Sequence, residues 1–65
     1  MGQIITFAIK DNCVYDYYTA GNGRWVAEIV NRTEGVSLKQ CAFDNHEAVK
    51  ILKKWLAQDM HLYIH

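Results

Sequence analysis

Hydrophobic and polar residues change rhythm once along this chain, at Asp44. Before that point they alternate. From Gln3 to Lys10, Ile5, Phe7 and Ile9 alternate with Ile4, Thr6 and Ala8, which predicts a strand. Asp11-Asn12 supplies turn chemistry, with Asn12 tolerating a positive φ, so the loop Lys10-Asp11-Asn12 leads into a second strand from Cys13 to Thr19. Ala20-Gly21-Asn22-Gly23 predicts the next turn, Arg24 to Val30 a third strand, Asn31 to Gly35 a polar turn, and Val36 to Phe43 a fourth strand. From Asp44 onward the period is helical. Ala48, Ile51, Leu52, Trp55 and Leu56 fall on one stripe, and Lys50, Lys53, Lys54 and Gln58 on the opposite face. Asp44 followed by Glu47 is a capping box that starts a helix over Asn45 to Gln58. Met60 to His65 alternates again and predicts an extended tail, a short terminal strand pairing with a sheet edge. The fold class is therefore α+β: an antiparallel meander of about four strands packed on one C-terminal amphipathic helix, a single domain over residues 1–65.

Parity assigns the two faces of the sheet. Asp16 is the one ionisable acid in its strand, and a carboxylate beneath the helix would need a partner that the sequence does not offer. Asp16 is therefore expected to face water, which turns Val14 and Tyr18 outward and Cys13, Tyr15 and Tyr17 inward. On the third strand Trp25, Ala27 and Ile29 face inward. The outer face then carries Val14, Asp16, Tyr18, Arg24, Val26, Glu28 and Val30. That mixture is less polar than the free solvent face of an antiparallel sheet should be, and it points to a binding surface.

Length and charge narrow the choice of partner. A chain of 65 residues can bury only about 60% of the surface its unfolded form exposes, so self-association into a homodimer is left open. Seven basic residues balance seven acidic ones, and no net field draws in phosphate or an anionic membrane. No apolar run is long enough to span a bilayer, no membrane partner is expected, and a cytoplasmic location follows as the default. Met1-Gly2 followed by Thr6 matches an acylation pattern, yet Ile4 to Ile9 reads as strand and no polybasic cluster follows.

Catalytic chemistry finds little material. Ser37 lacks a nucleophile-elbow context, and Gly21-Asn22-Gly23 reads as a hairpin turn rather than a phosphate cradle. Cys13 and Cys41 fit no metal-ligand spacing and read as buried hydrophobes. His61 and His65 share a face, but no third ligand is placed near them, since His46 lies in the first helical turn; they read as solvated. No enzyme activity, cofactor or metal is expected, and the helix lysines read as a solvated face.

From Gly23 onward the chain resembles a known family. Gly23-Arg24-Trp25-Val26-Ala27-Glu28-Ile29, then Gly35-Val36, Ala42-Phe43-Asp44 and Glu47-Ala48, resemble the APETALA2-type DNA-binding domain and the arm-binding domains of phage integrases. The resemblance covers about half the chain and implies a sheet of about three strands on one helix, reading DNA with its outer face. Arg24 matches a basic contact position of that family. Val30, Ser37 and Lys39 stand where it has Arg, Arg and Trp, and Tyr15, Tyr18 and Ala20 where it has arginines. Gln40 replaces a core leucine, and the strand Ile4 to Ile9 has no counterpart. In size and layout the chain is similar also to the small anti-CRISPR proteins of bacteriophages. The first expectation is a non-enzymatic protein-binding module of phage or mobile-element type, inhibiting or modulating a nucleic-acid-handling machine through Tyr18, Arg24, Val26, Glu28 and Val30. The alternative is a DNA-binding domain with a contact set reduced to Arg24, Arg32 and Lys39.

Overall fold

Four strands in sequence order form one antiparallel sheet: β1 (Ile5–Lys10), β2 (Cys13–Gly21), β3 (Arg24–Asn31) and β4 (Ser37–Ala42), followed by helix α1 (Asn45–Ala57). The computed structural model describes residues 3–64, so Gly2, with its acylation pattern, and His65 lie outside the described residues. The α+β class read from the residue pattern is the observed one. Each element differs from its expected range by two residues or fewer at either end.

The turns follow from local chemistry. Asp11 and Asn12, with φ of 50° and 66°, form a two-residue connection, and Asn22-Gly23, with φ of 54° and 72°, forms another. Consecutive left-handed residues match the right-handed twist of the strands they join. Asn31 organises the third turn, its Oδ1 accepting from the amides of Thr33 and Glu34 at 2.9 Å each. This turn is tied to the first, because the Arg32 amide donates to the Asn12 carbonyl at 3.0 Å.

Helix α1 begins where the capping box predicts. The Glu47 amide donates to Asp44 Oδ1 at 2.8 Å, while the Glu47 carboxylate reaches one residue further back than usual, to the Phe43 amide at 3.1 Å. Asp44→Ala is expected to cost on the order of 1 kcal/mol, read as a shift in the denaturation midpoint with unchanged slope. Ala48, Leu52 and Trp55 pack on Cys13, Tyr15, Ala27, Ile29 and Ala42, with Tyr17, Trp25, Leu38, Ile51 and Leu56 around them. The inward parity assigned to β2 and β3 is the observed one.

The tail departs from expectation. Met60–Tyr63 is a short 3-10 turn rather than a strand on the sheet edge. Asp59, at φ 52°, turns the chain back so that Met60 and Ile64 pack on the core. His61, expected to be solvated, is buried. The Tyr15 hydroxyl lies 2.6 Å from His61 Nδ1 and accepts from the His61 amide at 3.1 Å, and His61 Nε2 lies 2.8 Å from Asp11 Oδ2. With its hydrogen on Nε2, the imidazole satisfies every group in this chain of contacts. Among the described residues no helix is long and apolar enough to cross a membrane.

Candidate partner-binding face

Rows of residues paired across the sheet define the face turned away from α1. One row runs Thr6, Asp16, Glu28, Lys39 from β1 to β4; the next runs Tyr18, Val26, Cys41 from β2 to β4; a third runs Ile9, Val14, Val30, Ser37. Arg24 lies opposite Gly21, two positions beyond Val26 on β3. All five residues expected to contact a protein partner, Tyr18, Arg24, Val26, Glu28 and Val30, therefore share this face. Of the basic set, Arg24 and Lys39 share it, while Arg32 sits in the turn at the other end of β3. Arg32 lies eight positions after Arg24, about 26 Å at strand rise. They do not converge on one phosphate track.

Burial on this face corrects two expectations. Asp16 points away from the helix as parity required, but it does not face water: it is 5% exposed, Glu28 is 8% exposed and Val26 is 8% exposed. Positions on the two inner strands are flanked on every side, along the strand by Val14, Tyr18 and Val30 and across it by Thr6 and Lys39. Their own neighbours exclude water. The second correction concerns Cys41, which is exposed on this face, whereas Cys13 is buried in the core with its thiol pushed up by desolvation. Cys13 is thus an inert core residue and Cys41 an accessible one.

The centre of the face is electrostatically unfinished. Asp16 pairs with Glu28 across β2 and β3, and Glu28 Oε2 lies 3.6 Å from Lys39 Nζ, an ion pair too long for a hydrogen bond. Asp16 Oδ1 is buried and, among the described residues, has no partner. Burial and then the neighbouring Glu28 carboxyl push the Asp16 carboxyl from 3.8 up to about 7, with Lys39 pulling it down. Its folded value exceeds its unfolded one, so the folded chain binds the extra proton between these two values. This group's contribution to stability is fully present below 3.8 and is lost as pH rises to about 7. The melting temperature of Asp16→Asn should therefore exceed that of the parent at about pH 8, with the gap closing towards about pH 4. A gap independent of pH would mean that Asp16 ionises as an ordinary surface acid.

Phe43 is an exposed aromatic that sequence reasoning passed over as a site residue. It is 77% exposed and lines a shallow cleft with Arg24, Cys41, Ala42 and Glu47 at the rim of the same face. A hydrophobic residue just before a helix cap ordinarily packs against the fourth helical residue. Here that residue is Ala48, small and wholly buried, which leaves the Phe43 ring no mate. The chain matches no family model, no curated protein and no solved structure. What the face can do must be read from its own chemistry.

The Tyr15–His61–Asp11 chain resembles a catalytic relay only on paper, because the Tyr15 oxygen is enclosed in the core and burial raises its pKa. A buried, raised phenol neither reaches a substrate nor ionises to attack one. Among the described residues no group of three or more His, Cys, Asp or Glu side chains is placed to hold a metal ion.

Proposed function

We propose that the chain is a non-enzymatic protein-binding module that docks its partner on the outer sheet face. The reading extends to the partner's class through the resemblances noted above: a nucleic-acid-handling machine, inhibited as small phage proteins inhibit theirs. One observation carries the docking face. An apolar row and two buried carboxyls, one with an orphaned oxygen, occupy the middle of a sheet face that no element among the described residues covers. Buried polar groups normally find partners within the fold, and this exception is accounted for if the partner brings the donor. Exposed Arg24 and Phe43 beside this centre are the residue types that carry interface energy.

A DNA-reading role has less support. The carboxyls at the centre repel phosphate, Lys39 is drawn to Glu28, and Arg32 is remote. A titration against duplex DNA at low and high salt separates the readings, since phosphate-driven binding weakens steeply with salt. The protein-binding role expects no such binding, and expects that a purified nucleic-acid-handling partner is held by the parent chain but released by Tyr18→Asp and weakened by Phe43→Ser. Both positions are exposed or half-buried, so melting temperatures should stay within a few degrees of the parent. Val26 is unsuitable for this purpose, because a charge there would unsettle the fold by itself. Salt-sensitive DNA binding lost in Arg24→Ala would replace this reading with the DNA-binding one.

A further inference from the structure

The outer face is complementary to itself. On β3, Arg24 stands two positions before Val26 and Glu28 two positions after it, and Asp16 lies beside Glu28 on β2. Two copies stacked face to face about an axis running along the Tyr18, Val26, Cys41 row would bring each position before Val26 over the equivalent position after it. Arg24 of each copy then lies over Glu28 of the other, with Asp16 one strand away. This is the reciprocity that a two-fold interface requires.

Resting on the docking face proposed above, we infer that the occupant of this face in the absence of another partner is a second copy of the chain, paired so that Arg24 of each copy meets Glu28 and Asp16 of the other. Three features of the face support it. The guanidinium is exposed, both carboxyls are buried and Asp16 has one oxygen without a partner among the described residues, so each supplies what the other lacks. Lys39 is loosely held, standing 3.6 Å from Glu28 with most of its side chain in water, so a closer donor can take its place. The row on the axis is Tyr18, Val26 and Cys41, uncharged and able to pack against its own copy across two stacked sheets.

Size sets the strength of the pair. The broadest profile of the molecule is 30 × 22 Å, which limits the buried surface to about 600 Å² per copy, at the low end for specific pairs. Interfaces this small belong to weak, transient pairs, so the dimer is reversible and a foreign partner using the same carboxyls displaces it. Pairing also tightens as pH rises through about 7. Asp16 must lose its proton to receive a guanidinium, and the groups facing it are Thr6 from β1, Tyr18 on its own strand, Glu28 from β3 and Lys39 from β4.

Sedimentation of a concentration series tests the inference. The parent should pass from a 7.5 kDa species to twice that mass, and Arg24→Glu and Glu28→Arg should each weaken association by at least about tenfold. An equimolar mixture of these two variants should recover the dimer, because each supplies the charge its counterpart has lost. A short bismaleimide should join the parent copies through Cys41, which lies on the axis, and fail to join Arg24→Glu. Arg24 is exposed, so that variant keeps the test decisive even where Glu28→Arg does not fold. A parent that stays monomeric at millimolar concentration, or a dimer indifferent to Arg24→Glu, overturns the second copy. If such a monomer still loses its foreign partner through Tyr18→Asp, the docking face stands and only the self-pairing falls. If Tyr18→Asp changes neither association nor capture, the face itself is wrong.

Discussion

Trp55→Ala is expected to cost about 3–5 kcal/mol and to leave little folded protein. Trp55 is buried against the sheet on the same stripe as Ala48 and Leu52, and it is the largest side chain that α1 contributes to the core. A domain of this size has a total stability of roughly 3–10 kcal/mol, so truncating one aromatic can consume most of it. Urea denaturation followed by circular dichroism reads the result directly. A midpoint close to the parent's would mean that the helix packs through another face.

Tyr15→Phe is expected to be the second most damaging change, at about 1–3 kcal/mol, although it removes a single oxygen. The ring would remain packed at the centre of the core. What is lost is the acceptor for the His61 amide and the neighbour of its Nδ1, both of which would stay buried without a partner. His61→Ala should cost a similar amount, and the double variant should cost much less than the sum, because both act on the same contact. Additive losses in that cycle would show that the two residues act separately.

The strands, the helix and the division of the sheet into faces were legible because alternation and helical period report directly on burial. Asp16 illustrates how far that reach extends. A carboxylate avoids the helix side, which fixes the parity of Cys13, Tyr15 and Tyr17 and hence the candidate face. The far side is nevertheless not solvent for Asp16, because the inner strands of even a small sheet shelter their own central side chains. His61 was illegible for a different reason. Its partner Tyr15 lies 46 residues earlier, and nothing local to Met60-His61-Leu62 signals that pairing. Cys41 was misread on residue type alone, although its position one residue before the inward Ala42 already pointed it outward. Phe43 carried a readable signal, an aromatic ahead of a cap whose staple partner is alanine.

The clasp between Tyr15 and His61 bears on how this molecule breathes. A single 3-10 turn after a helix would ordinarily fray, and its amides would exchange with deuterium from local openings alone. The His61 amide is instead closed onto the buried hydroxyl of Tyr15 on β2, and the Cys13 thiol reaches the His61 carbonyl beside it. Releasing the turn therefore means opening the core. Its exchange should follow the same free energy as the central strands, which makes the two ends of the described fold one cooperative unit rather than a stable sheet with a loose appendage.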